Sequence, residues 1–286
     1  MPLNIAILGA EQPAGHSVTI VQRKDSTKPT PSGVKARKLD LSNFEELTTA
    51  FKGQDVVVSA VPFPTLATDK VIIDAAVAAS VKRIVPSEFT TNLDTPLSRK
   101  LPHVRGKVEI REYLESSFSA TSLTTWTSIN NGAFFEMSLK YGVLGPNLQQ
   151  RKATFHNGGS NVVGASLLSD IGKVLVKVLE PAHFQETANK AVYFYSAAVS
   201  ERLLTDLAGQ VTGIDFGSVN DGQIQDLNVD DMIREADKKL AEGDMSALAT
   251  YYYPMMYSNG YGGMDFKELS WNERLGLKTM NEDDLK

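Results

Sequence analysis

The 286-residue chain contains no cysteine, which excludes disulfides, thiolate metal sites and cysteine nucleophiles together and gives no clue to a redox compartment. Long hydrophobic runs are missing too. The longest apolar stretch, around "DVVVSAVPF" at residues 55–63, falls far short of the roughly 20 residues that span a bilayer. The amino terminus leads straight into a strand-like run with no basic segment and apolar stretch of a leader, so the expectation is a soluble, cytoplasmic protein. Neither charge dominates: 29 Lys and Arg against 34 Asp and Glu give a net charge of −5, spread without long blocks, and nothing points to nucleic acid or an anionic membrane as partner. Histidine is scarce, with four residues, and no spacing of His and carboxylates suggests a metal site. No Ser-His-Asp order, internal repeat, low-complexity tract or flexible linker is recognisable.

What is present is ordinary globular material, 42% hydrophobic and 22% charged, enough to bury a substantial core. In the first half, short β-rich runs alternate with helical patterns, the mark of βαβ units and a parallel sheet. "NIAIL", "SVTIV", "VKARKL", "DVVVSAV", "VKRIVP" and "SLTTWTSI" read as strands. Between them "SNFEELTTAFKG" reads as a helix with Ser42 as N-cap, Glu45 completing a capping box and Gly53 as the stop. "TLATDKVIIDAAVAAS" and "VRGKVEIREYLESS" read as the next two helices. The second half is less regular: "SDIGKVLVKVLEP" is expected as a helix capped by Ser169, "AVYFYSA" as a strand, and helices are expected to start at Ser200 and Asn228. The aromatic run "YYYPMMYSNGYGG" at 251–263 reads as a helix end packing a hydrophobic lid. The expected fold class is α/β: a doubly wound parallel sheet over residues 1–150 and a smaller carboxy-terminal domain over 151–286, partly interleaved with the first and closing a cleft.

The opening stretch, "NIAILGAEQPAGHSVTIVQR", looks like a dinucleotide-binding start with its middle removed. Parallel neighbouring strands need a crossover of about a dozen or more residues, usually helical, and here only "GAEQPAGH", residues 9–16, is available. Such a piece can return as extended chain but carries no helix amino terminus, the element that normally holds a pyrophosphate. Of the glycine pattern only Gly9 survives, and it reads equally well as a turn residue. Other nucleotide features remain. Arg23 and Lys24 stand just past the second strand, where cations can meet a ribose 2′-phosphate, and Asp40 ends the third.

The segments "SVTIVQRKDS", "LDLSNFEELTTAFKGQDVVVSAVP", "VKRIVPSEF", "GKVEIREYLE", "NGAFFEM" and "SDIGKVLVKVLEP" together resemble the NmrA-like and isoflavone-reductase-like family of atypical short-chain dehydrogenases, over nearly the whole chain. The resemblance implies a Rossmann-like NADP(H)-binding domain and a carboxy-terminal substrate domain. Many members reduce small aromatic or other secondary metabolites, and some sense the cofactor and bind regulatory proteins. It also implies that Lys107 works near the nicotinamide as a proton relay or polarising cation, a role open to lysine because partial burial adjusts its pKa. On the same ground Ala60, Val61, Ser87 and Phe89 are expected against the cofactor, Phe89 beside the nicotinamide. The sequence contains no Tyr-x-x-x-Lys, so the ordinary short-chain dehydrogenase acid/base pair is not available. It departs from the family at the glycine-rich loop and first helix.

On the substrate side, "NNGAFF" offers Asn130 and Asn131 as polar contacts and Phe134 as an apolar wall, while His156 in "TFHNGG" is a candidate acid/base group or substrate contact. Each has a plainer alternative: Lys107 as a solvated helix residue, Phe89 and Phe134 as core, His156 as a structural histidine near a turn. Three functions stay open. The first is an NADP(H)-dependent oxidoreductase on a small aromatic carbonyl or enone. The second is a cofactor-independent isomerase or cyclase using the same cleft, and the third a non-catalytic sensor. A small-molecule partner is expected, and a homo-oligomer is left open.

Overall fold

The computed structural model describes residues 2–8, 16–219, 223–263 and 266–286. The chain divides into two compact units, one formed by Met1–Phe89, Arg105–Ile129 and Gly172–Val192, the other by Thr90–Val104, Asn130–Ile171 and Tyr193–Lys286.

The first unit is built on a seven-stranded sheet. Its strands are β1 (Asn4–Leu8), β2 (Ser17–Arg23), β3 (Lys35–Leu39), β4 (Val56–Ser59), β5 (Arg83–Val85), β6 (Thr125–Asn130) and β7 (Lys190–Tyr193), in the spatial order β7-β6-β5-β4-β1-β2-β3. The pairs from β3 across to β6 are parallel. The order reverses between β1 and β4, the kind of position where doubly wound sheets hold ligands at the carboxyl ends of their strands. The apolar runs of β1 and β4 suit strands covered on both faces. Ala6, Leu8 and Val57 pack into one cluster with helices α1 (Phe44–Phe51), α2 (Leu66–Ala78) and α3 (Arg105–Ser117), while the alternating Ile5, Ile7 and Val58 are buried as well.

Several local expectations shift by a residue or more. Helix α1 is capped by Asn43, whose Oδ1 accepts from the amides of Glu45 and Glu46, not by Ser42. Ser42 instead donates its hydroxyl and its amide to Asp40 Oδ1 (2.6 and 2.9 Å), which removes it from competition for the cap. Helix α4 (Leu168–Leu179) starts one residue before the predicted cap Ser169, because the Glu136 carboxylate takes the Leu168 amide and the Leu167 carbonyl takes those of Asp170 and Ile171. "AVYFYSA" is not one strand. The Asn272 side chain bonds both backbone groups of Tyr195, and the chain then leaves β7 and joins a second sheet as the strand Ala197–Val199.

In the second unit that small sheet pairs Ala197–Val199 with Val163–Ser166 and Ala133–Phe134. Another three-stranded sheet joins Pro146–Asn147, Lys152–His156 and Gln225–Leu227. Helix α5 (Glu201–Thr212) begins at the expected Ser200 cap and ends at Gly213, whose φ of +68° makes it a left-handed stop. Helix α6 (Val229–Ala241) begins at the expected Asn228 cap. The aromatic run forms a helix at Tyr252–Tyr257, and the side chains of Met256 and Tyr257 enter the core of this unit. Among the described residues no helix is long and apolar enough to cross a membrane.

Candidate functional site

The predicted cofactor residues of the first unit fall at the carboxyl edge of one sheet. Arg23 ends β2, Lys24 follows it, Asp40 follows β3, Ala60 and Val61 follow β4, and Ser87 and Phe89 follow β5. Their chemistry differs. Arg23 is exposed and among the described residues pairs with Asp25 alone, at 3.6 Å, whereas the Lys24 ammonium donates to Glu46 at 2.8 Å. The Asp40 carboxyl is held below its ordinary value by the Ser42 hydroxyl and amide, so it is committed to a local turn. Gly9 lies outside the described residues, as does the return path expected between β1 and β2.

The segment after β5 is shaped by a buried charge pair. Ser87 Oγ donates to the Val61 carbonyl at 2.8 Å, tying the loops after β4 and β5 together. Glu88, almost wholly buried, takes two hydrogen bonds from Arg111, including Nε to Oε2 at 3.0 Å, and Arg111 also donates to Ser128 Oγ at 2.6 Å. Two donors from one guanidinium fix the carboxylate in both position and plane. Lys107 lies one helical turn before Arg111 on α3, so the two side chains leave the same face. The Lys107 ammonium donates to the Glu88 carbonyl and, at 3.4 Å, to the Phe89 carbonyl. Phe89 has φ of +29°, a conformation that costs a bulky residue energy and persists only when neighbours over-determine it.

Although Lys107 is half-buried as a residue, its ammonium end is desolvated, which pulls its pKa down to about 8 against the opposing pull of Glu88. Gly106 makes this packing possible, since a Cβ there would stand 2.1 Å from the Pro64 carbonyl oxygen. The Glu88–Arg111 pair was not among the predicted site residues. The signal for it lay in the sequence, as two cations four apart on one helix and a lone acid inside an apolar strand end.

The predicted substrate residues lie in the second unit. Asn130 and Asn131 are both fully buried. Asn130 donates to the Thr91 carbonyl (2.9 Å) and Asn131 to that of Gly132 (3.1 Å), while Asn131 Oδ1 and the nearby Thr90 hydroxyl are buried without a hydrogen-bond partner among the described residues. Phe134 is half-buried at the cap of the helix Phe135–Lys140. His156 is buried on the strand Lys152–His156. Its Nδ1 meets Glu201 Oε1 at 2.6 Å and its amide donates to Glu201 Oε2, while its ring stacks on Tyr253 (4.1 Å between centroids) and Tyr257 (5.2 Å).

Residues 6–215 match the model of the NmrA-like family. The chain belongs to that family. The oxidoreductase aprR of Aspergillus flavus is 30% identical, with all of this chain and 98% of aprR aligned. That alignment runs over 305 positions against the 286 residues here, so aprR carries residues with no counterpart in this chain. The oxidoreductase poxI of Penicillium oxalicum is 27% identical over 89% of this chain and 79% of its own. Among solved structures, an isoflavone reductase superposes with a TM-score of 0.73 at 18% identity, covering 99% of this chain and 98% of its own. The protein AtPrR2, solved with NADP+ and (+)pinoresinol, superposes with a TM-score of 0.68 at 17% identity over 91% and 89%. The family member described here therefore has the Rossmann-like α/β fold of isoflavone reductase.

Proposed function

We propose that this chain is an NADP(H)-dependent oxidoreductase that reduces a small aromatic or secondary-metabolite carbonyl or enone, with Lys107 handling the proton. The observation that carries the reading is the desolvated Lys107 ammonium, held on the carbonyls of Glu88 and Phe89 at the carboxyl edge of a doubly wound sheet. An acid with a pKa near the operating pH transfers a proton most effectively, and about 8 is close enough to serve. The names of the relatives, two oxidoreductases and AtPrR2 solved with NADP+, point the same way.

The fit to the cofactor is good at its two ends. Arg23, exposed and only loosely paired, suits the 2′-phosphate, and the strained Phe89 with Ala60, Val61 and Ser87 suits the nicotinamide end. Toward the pyrophosphate, eight residues join Leu8 to Ser17, fewer than the roughly dozen of a usual crossover, and residues 9–15 lie outside the described residues. When bound, the nicotinamide supplies a hydride. Lys107 donates a proton to the substrate oxygen or carbon and is held for that by its two carbonyls. For the second unit, taken by itself, Asn131, whose buried Oδ1 has no hydrogen-bond partner among the described residues, is the polar ligand contact we propose, with Asn130 and Phe134.

Purified chain screened against aromatic carbonyls and enones, with NADPH and without, tests the reading. NADPH-dependent turnover that drops about 10²–10⁴-fold in Lys107→Ala, with folding intact, is expected. Unchanged turnover in that variant refutes the role of Lys107. The short connection after β1 favours one second reading, an isomerase or cyclase in which Lys107 moves protons unaided. Turnover that needs Lys107 but no nicotinamide would establish it.

A further inference from the structure

The second unit holds a cavity of about 1090 Å³ that the proposed reduction does not use, somewhat larger than the usual 300–1,000 Å³ of small-molecule sites. Its wall includes Arg151, Lys152, Thr154, His156, Tyr141 and Tyr253. Three of these alternate along one strand, so Lys152, Thr154 and His156 share a face. The Cα atoms of Lys152 and His156 are then about 13 Å apart, four strand steps.

The two ends of that face are chemically opposite. At one end stand Arg151 and Lys152, both exposed; among the described residues neither is in an ion pair and no carboxylate lines the cavity. Arg151 is held at φ +53°, in the left-handed region, at the turn entering the strand. At the other end is His156, about 2% exposed. Nδ1 of the ring faces Glu201 Oε1 at 2.6 Å, and Nε2, with no hydrogen bond among the described residues, is the ring nitrogen left for a ligand. Tyr253, stacked on His156, supplies an aromatic surface beside it.

We propose that this cavity is a binding site for a planar aromatic acid bearing a hydroxyl at its far end, of the hydroxycinnamate class. The carboxylate meets Arg151 and Lys152, the ring lies along Thr154 and Tyr253, and the phenol oxygen shares a hydrogen bond with His156 Nε2. The 13 Å span, shortened by the reach of the lysine and histidine side chains, is closed by a ligand several ångströms long. Glu201 is a positioning residue that fixes the orientation of the imidazole.

Calorimetric titration of the full chain with 4-hydroxycinnamate should give saturable one-site binding. Cinnamate, which lacks the phenol, and 4-vinylphenol, which lacks the acid, should each bind at least tenfold more weakly. Arg151→Ala with Lys152→Ala should weaken the acid at least tenfold, and Lys107→Ala should leave its binding unchanged. With four histidines in the chain, the ring nitrogen shifts of His156 can be followed by nuclear magnetic resonance. The Nε2 shift should move on adding 4-hydroxycinnamate and stay put with cinnamate, a readout that a purely structural His156–Glu201 tie would not give. Absence of saturation, equal affinity for the three probes, an unmoved Nε2 shift, or loss of binding in Lys107→Ala would each overturn the proposal. Loss in Lys107→Ala would place the ligand at Lys107 and leave the reductase reading standing.

Discussion

Replacing Glu88 by glutamine tests the element that shapes the Lys107 site. The substitution keeps the shape of the side chain and removes its charge, leaving the Arg111 guanidinium, 2% exposed, without its bidentate partner. Breaking a buried ion pair from one side costs about 3–5 kcal/mol, because the remaining charge stays desolvated. Arg111 retains Ser128 at 2.6 Å and the Glu115 carboxylate at 3.7 Å, which places the cost near the lower end, about 3 kcal/mol. At about 2–4 °C per kcal/mol for a chain of this size class, Tm should fall by roughly 6–12 °C. Urea and thermal unfolding followed by far-ultraviolet circular dichroism give the stability. Trp126, whose ring lies 5.0 Å from the Arg111 guanidinium, gives a local fluorescence signal. The double variant Glu88→Leu with Arg111→Met removes both charges and should be less destabilised than the sum of its single parents. A Glu88→Gln variant within about 0.5 kcal/mol of the parent, the usual range for an inconsequential surface change, would refute the claim that this pair holds the segment. Additivity in the double variant would do the same.

Three further outcomes are expected. Gly106→Ala should destabilise despite the gain in helix propensity of up to about 1 kcal/mol, because its Cβ would stand 2.1 Å from a backbone oxygen of Pro64; a variant as stable as the parent, measured by urea unfolding, contradicts the packing. With Lys107 as proton donor, the active form is the ammonium, so kcat/KM should be flat below pH 8 and fall about tenfold per unit above it as the pKa of about 8 is passed. Lys107→Arg should not restore activity, since a guanidinium keeps its proton. Arg23→Ala should erase a preference for NADPH over NADH of about one to two decades, the worth of a charge-assisted contact of about 1.5–3 kcal/mol; fluorescence titrations showing equal affinities in the parent protein would remove Arg23 from the site.

Periodicity and punctuation determined the first unit almost unaided. Buried parallel strands are continuous apolar runs, and helices announce themselves by spacing and caps, so β1, β4, α1 and α2 were legible, with errors confined to which of two adjacent cap residues wins, as at Ser42 and Asn43. The family followed from "PSEF" and "GKVEIR" for the same reason: local motifs survive in the order of residues. What tertiary structure decided is what depends on residues brought together from far apart. Asn272, 77 positions from Tyr195, is what breaks "AVYFYSA" into two strands. Arg111 reaches back 23 residues to Glu88, and the desolvation that lowers the Lys107 pKa comes from that packed surround and not from its neighbours in sequence. Glu201 lies 45 residues beyond His156, and only the folded unit brings its carboxylate against one nitrogen of that ring.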